Sequence, residues 1–379
     1  MIHRTIFSDE HLMFRDNFRK FVEKEIVPHH ARWEEQQHVD RSLWQKAGEQ
    51  GFLCTEIPDQ YGGAGADRYV SAIIIEELAR VGASGPGFTL HSDIVAPYIF
   101  NYGNEDQKNA FLPAMARGEM IGAIAMTEPG TGSDLQAIKT TAVEDGDEFV
   151  INGSKIFISN GYMADFAIVV AKTGDVKGGA DQMSLLLVEA NRKGFAKEKP
   201  LKKVGMKAQD TAVLHFSDVR VPKSNLLGAS GGAFMMLMTE LAWERLMLAI
   251  GCVAGAETVL EETIKYTNER EAFGRPISKF QNTKFKLAEM KTETTIARVF
   301  IDKCMQLEAE KKLSVDTAAM AKYWTSELVC RVVDEAVQLH GGYGYMWEYL
   351  VGRAYADARV QRIYAGTTEI MKEIISRSL

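Results

Sequence analysis

The sequence predicts a multidomain α+β protein: a helical domain, then a small β domain, then a helical bundle. Three observations carry this. Apolar residues in the first third recur at helical spacing. From about residue 121 the spacing changes to the two-residue period of strands. After Gly231-Gly232 it is helical again to the end. A chain of 379 residues exceeds one ordinary core, in line with two or three domains. The expected divisions are 1–120, 121–226 and 227–379.

In the first block Phe14, Phe18, Phe21 and Val22 share a helical face, with Ser8 as N-cap and Pro28 as stop. Ser71 to Val81, rich in Ile and Glu, predicts another helix. Ser84-Gly85-Pro86-Gly87 breaks the chain, and Pro113 to Gly118 closes the block. In the middle block Asp145-Gly146-Asp147 and Asn152-Gly153 sit between β-branched runs, and Asn-Gly signals a hairpin. Ala167 to Ala171, Ser184 to Glu189 and Val213 to Phe216 read as strands, and Val219 to Pro222 ends the block. In the third block residues 234–268, 279–311 and 314–340 read as helices, the last terminated by Gly341-Gly342.

A composition 46% hydrophobic and 25% charged is that of a globular protein. The net charge of −7 argues against nucleic acid as a partner, while local cations can still hold a phosphorylated ligand. The longest apolar stretch, Leu246 to Ala256, falls short of the roughly 20 residues a membrane span needs and fits a buried helix. The first residues lack an apolar signal core and an Arg/Ser-rich transit character, so a bacterial cytoplasm is the expected location. Cys54, Cys252, Cys304 and Cys330 show neither CxxC nor metal spacing with any His. They read as reduced thiols, and no metal is expected. No P-loop, Ser/His/Asp set or GxGxxG after a strand is present.

Five segments can carry chemistry. Thr127-Glu128-Pro129-Gly130-Thr131-Gly132-Ser133-Asp134 bends sharply and offers backbone N–H groups and hydroxyls to an acceptor-rich ligand, or is a surface turn. Glu244 lies in Met235 to Leu248, a helix apolar nearly all round. A carboxyl there is either ion-paired, with Arg245 or another cation, or held at raised pKa for proton transfer. Arg270-Glu271-Ala272-Phe273-Gly274-Arg275, with Gln281 beyond, can clamp a pyrophosphate or be a solvated loop. Gln338-Leu339-His340-Gly341-Gly342 opens backbone to a ligand or is a glycine cap. Thr367 or Thr368 can cap the last helix with N–H groups left for an anion.

Together and in this order these segments resemble the acyl-CoA dehydrogenase family over essentially the whole chain. Asn152 to Lys155 with Phe157 to Gly161, Tyr343 to Tyr345 with Glu348, Arg353 and Asp357, and Tyr364 to Glu369 add to the match. Lys207 to Thr211, Met320 to Trp324 and Ala358 to Gln361 are most similar to the long-chain branch. The resemblance implies a helical domain, a β-barrel domain and a C-terminal four-helix bundle, with one FAD per chain. It also implies a homotetramer whose neighbouring subunit completes each site. Ile124, Ala125, Met126, Thr127, Gly132 and Ser133, with Phe157, Ile158 and Ser159, are then expected at the isoalloxazine ring. Arg270, Gln281, Gln338, Leu339, His340, Gly341, Gly342, Thr367, Thr368 and Glu369 are expected at the ribityl and diphosphate. Ser133, Met235, Ala242, Trp243, Arg245, Ala365 and Gly366 are expected to border acyl-CoA.

One departure bears on mechanism. Many members carry the catalytic Glu where this chain has Ala365, which cannot take a proton; the long-chain and isovaleryl branches place it in a Glu-Arg pair matching Glu244-Arg245. Phe157 stands where Trp is frequent, and Ser159 where Thr is. The resemblance implies α,β-dehydrogenation of a fatty acyl-CoA. Glu244 takes the α-proton, a hydride leaves the β-carbon for the flavin, and electrons pass to an electron-transfer flavoprotein. An oxidase and a silent FAD-binding homologue are the rival readings. Ala365 is the sole support of the latter, and Glu244 answers it. Chain length is not legible, although Ser84 to Gly87 could open a deep acyl pocket.

Overall fold

The computed structural model describes residues 2–174 and 178–379; Met1, part of the N-terminal reading above, lies outside them. Six helices come first: α1 (Asp9–Phe21), α2 (His30–Gln36), α3 (Arg41–Glu49), α4 (Arg68–Arg80), α5 (Ala96–Tyr102) and α6 (Glu105–Ala116). Ser8 caps α1 in a reciprocal box with His11. Phe18, Phe21 and Val22 lie inside with Phe52 and Trp44. Pro28 falls in a short 3-10 turn between α1 and α2, where its missing N–H costs little.

Eight strands follow: β1 (Gly122–Ala125), β2 (Thr141–Asp145), β3 (Glu148–Ser159), β4 (Phe166–Lys172), β5 (Met183–Glu189), β6 (Phe195–Lys197), β7 (Thr211–Pro222) and β8 (Leu226–Leu227). Their order is β6-β7-β3-β2-β4-β5-β8, with β1 parallel to β4. The expected barrel is not closed. β2 meets β4 at a single pair, Thr141 with Lys172, and the sheet ends in strands of three and two residues that do not pair. Its two halves stack instead around Phe149, Ile151, Leu214 and Phe216 from one side and Ala167, Val169, Leu186 and Val188 from the other. The other face of β4 meets Tyr98, Ile99 and Phe111 of the first domain. Covered on both faces, β4 reads as a continuous apolar run.

Asp145-Gly146-Asp147 makes the expected turn between β2 and β3. Asn152-Gly153 does not; it lies inside β3 as a bulge against β7. Asn152 exchanges two hydrogen bonds with Asp218 (3.0 and 2.9 Å), and a side chain at 153 would fall 2.4 Å from Thr140 Oγ1. The residues of a hairpin signal are thus consumed by a distant partner and a close contact. Gly85 and Gly87 serve close packing as well. A Cβ there would meet Ala208 Cβ at 2.9 Å and Asn160 Oδ1 at 1.9 Å, so on the side a side chain would take these two glycines are filled by neighbouring protein.

The rest is helical: α7 (Ala233–Glu269), a hairpin of β9 (Glu271–Ala272) and β10 (Arg275–Pro276), α8 (Gln281–Ala309), α9 (Val315–His340), α10 (Leu350–Ala358) and α11 (Thr368–Ser376). The long helices α7, α8 and α9 share one core, and α10 and α11 pack on α9. An ion-pair network fastens the first domain to this bundle. Glu76 of α4 receives Arg4, Arg15 and Arg298, each at 2.8 Å, and Arg298 also reaches Glu257 at 2.6 Å. Burial pushes the Glu76 carboxyl up, but its arginines outweigh that and leave it below its ordinary value.

Candidate active site

Glu244 is buried on α7. On the turns before it, α7 is exposed at Met235 and Thr239 and half-buried at Phe234, Met238 and Ala242, so that Met235, Met238, Thr239 and Ala242 form a partly open stripe at helical spacing. Met235 and Ala242 were expected to border a substrate; Thr239 was missed, although the spacing was visible. Among the described residues no carboxylate lies within ion-pair distance of Arg245, and its Nε lacks a hydrogen-bond partner; the Glu244 charge acts on it only at longer range. The ion-pair reading of Glu244 with Arg245 is thus not realised. Instead Tyr98 of α5 donates to Glu244 Oε1 at 3.1 Å. Burial pushes the Glu244 carboxyl up to about 7; the Tyr98 contact opposes this and the Glu240 carboxylate adds to it. Trp243 points elsewhere. Its ring is buried in the bundle core with the Arg68 guanidinium 4.6 Å from its centre.

Thr127 to Asp134 is anchored at its base and open at its tip. Glu128 and Thr131 exchange backbone hydrogen bonds (3.0 and 3.1 Å). The Glu128 carboxylate accepts from Lys139 N (2.6 Å), Thr140 N (3.0 Å) and the buried Lys155 Nζ (2.8 Å), which also reaches Met126 O (2.9 Å). Burial lowers the Lys155 ammonium to about 8 against the pull of Glu128. No atom lies within 4 Å of a Cβ built on Gly130 or Gly132, and Ser133 is exposed. Ala125 and Ile158 are buried and Ile124 nearly so, so their backbone is what they can offer here.

Ile156 N donates to Thr127 O at 2.9 Å, which sets this loop beside Phe157. The β3–β7 register slips between Lys155 and Ile158, and Phe157 takes φ 61° with its ring 64% exposed. A strained backbone that presents an aromatic ring to solvent costs stability twice, and such strain concentrates at ligand sites. Ser159 closes the strand opposite Thr211.

The Ala365-Gly366 turn is left-handed at both residues, φ 53° and 93°. The fully buried Lys322 donates to Gly366 O at 2.6 Å, and burial lowers that ammonium to about 8. Gln361 joins the same segment to Cys252 of α7. Thr367 caps α11 through Ile370 N (3.3 Å), Thr368 donates to Glu327 (3.1 Å), and Glu369 is exposed in the first turn.

A cleft of about 540 Å³ unites Arg270 with Gln338, Leu339, His340, Gly341 and Gly342, and with Tyr266, Tyr343 and Met346. Gln281, exposed at the start of α8, does not line it, nor do Thr367 to Glu369. His340 lines the cleft with its ring held from behind. Its ring stacks on Tyr266 (4.1 Å between centres) and bonds Ala336 O at 2.8 Å. The donor set suits a diphosphate: a guanidinium without a carboxylate partner among the described residues, and two glycines over which a Cβ would meet nothing within 4 Å. No group of metal-ligating side chains occurs among the described residues, and no helix there is long and apolar enough to cross a membrane.

Family models of the acyl-CoA dehydrogenase N-terminal, middle and C-terminal domains match residues 8–119, 123–219 and 231–379. The chain belongs to the acyl-CoA dehydrogenase family, flavoprotein oxidoreductases of fatty acid β-oxidation. It is 52% identical over 377 residues to the mitochondrial long-chain specific acyl-CoA dehydrogenase of Sus scrofa, covering 99% of this chain and 88% of that protein. The crystal structure of acyl-CoA dehydrogenase from Geobacillus kaustophilus superimposes with a TM-score of 0.97 at 49% identity, covering 99% of each chain. A glutaryl-CoA dehydrogenase from Mycobacterium smegmatis, solved in complex with FADH2, superimposes at 0.92 with 27% identity, covering 98% of this chain and 95% of that one.

Proposed function

We propose that this chain dehydrogenates a long-chain or branched fatty acyl-CoA to the trans-2-enoyl-CoA, with an electron-transfer flavoprotein as its redox partner. The observation that carries the reading is Glu244: a buried carboxyl with no cation within ion-pair distance among the described residues, beside a partly open helical stripe and pushed up to about 7. Desolvation raises its basicity toward a weakly acidic thioester α-proton. Glu244 takes that proton as the α C–H bond breaks, and the electron pair left behind forms the Cα=Cβ bond. Bound FAD would supply the two-electron acceptor for the hydride that leaves the β-carbon. The Ala365 backbone N–H, in the turn that Lys322 holds, is the donor this chain offers to the thioester oxygen. Phe157, beside Thr127 to Ser133, offers a stacking face for the isoalloxazine ring.

The length of α7 bears on how the cofactor is held. Glu244 and Arg270 are separated by a continuous helix, so about 38 Å lies between them. One dinucleotide does not reach from a ring beside Glu244 to a diphosphate at Arg270 on the same chain. The Arg270 cleft therefore serves the site of a second copy, in keeping with a homo-oligomer, of which a tetramer is our reading.

The test is Glu244→Gln. Anaerobic flavin bleaching by a panel of acyl-CoAs should slow by about 10²–10⁴-fold, with FAD retained. Bleaching at the parental rate would remove Glu244 from the role.

A further inference from the structure

Two tyrosines one turn apart on α5 meet two carboxylates one turn apart on α7. Tyr98 donates to Glu244 Oε1 at 3.1 Å. Tyr102 donates to Glu240 Oε1 at 2.9 Å, where Asn101 Nδ2 also donates at 3.0 Å. Tyr98, Glu240 and Glu244 are all buried. Glu244 Oε2 accepts no hydrogen bond from the described residues, so one oxygen of the carboxyl is held and the other is left for a substrate proton. We infer that Tyr98 and Glu240 are positioning residues for Glu244, Tyr98 by holding one oxygen of its charged form and Glu240 by like charge one turn away. This rests on the reading of Glu244 as the base.

The two act in opposite directions. A phenol has one proton to give, and giving it to a carboxylate favours the ionised form. A second carboxylate at i−4 on the same helix face disfavours it. The titratable and charged groups that act on Glu244 are Tyr98 from α5, in hydrogen-bond contact, and Glu240 and Arg245 from its own helix, at longer range. Of these, Arg245 and Tyr98 favour charge and Glu240 opposes it. Packing alone does not ask for such a pair. Phenylalanine at 98 would fill the space without a polar atom to satisfy, and a carboxylate at 240 adds a buried charge beside another.

The experiment is the pH dependence of kcat/KM for acyl-CoA dehydrogenation by the FAD-loaded enzyme, in the parent, Tyr98→Phe and Glu240→Gln. Activity falls on the acid side as Glu244 takes up a proton. The midpoint should move up by about one pH unit in Tyr98→Phe and down by about one in Glu240→Gln. A merely structural role would lower activity with the midpoint unmoved. Midpoints that match the parent, or that move in the same direction, overturn the inference. If Tyr98→Phe fails to hold FAD, the sign of the Glu240→Gln shift decides alone. Glu244→Gln separates this from the reading beneath it. If it keeps parental activity and the parental acid limb, the base lies elsewhere; if it is inactive while the other two leave the midpoint in place, only the positioning role falls.

Discussion

At Glu244 a structural ion pair and a catalytic base make opposite predictions about stability. Removing one member of a buried pair strands the other charge and destabilises. Here the folded-state carboxyl sits at about 7, above its ordinary value. Its contribution to stability is therefore fully present at low pH and lost as pH rises through 7, where a buried charge must be carried. Glu244→Gln should leave the melting temperature at pH 5 close to the parent's. At pH 8.5 it should be more stable, by up to about 3 kcal/mol. Paired melts at the two pH values check this, and a loss of stability at pH 8.5 would restore the ion-pair account. Sequence narrowed this residue to two roles because an acid on an apolar helix admits both. It could not choose, since the deciding partner, Tyr98, comes from another domain. Glu240 was nearer to legible, being one turn away on the same helix. Lys322 left no local signal beyond a lone cation among apolar neighbours.

Strand β3 shows what local pattern can and cannot carry. The sequence showed strand character on either side of Asn152-Gly153 but read those two residues as a turn between strands, where the structure has one continuous strand. Its two register shifts were not visible, because each depends on a partner far along the chain: Asp218 for Asn152, and β7 for the turn at Phe157. The second shift is what puts an aromatic ring outside. Phe157→Gly should relieve the left-handed strain and lose little buried area, against a glycine entropy cost of similar size. Apo-protein stability should stay within about 1 kcal/mol of the parent. FAD affinity should weaken about tenfold through loss of the stacking face. Thermal melts of the apo-protein and flavin titration followed by fluorescence measure the two separately. A large fall in stability with affinity intact would make Phe157 a folding residue.

For the molecule as a whole, the order of helical, β and helical parts was readable because each has its own apolar period. Whether the sheet closes was not. Closure turns on whether the outermost strands are long enough to pair, and β6 and β8 have three and two residues. The fastening of α4 to α8 through Glu76 and Arg298 was equally hidden, since any charged residue on a helix reads first as a solvated face. The 37 residues of α7 were foreseen within a residue at either end, but not what so long a rod does. If the proton acceptor and the diphosphate clamp of one reaction centre sit on different polypeptides, two dead variants can rescue each other. Glu244→Gln and Arg270→Glu, each inactive alone, should on co-refolding in equal amounts assemble hybrids in which one centre is fully wild type. About a quarter of parental turnover should return for pairs assembled at random.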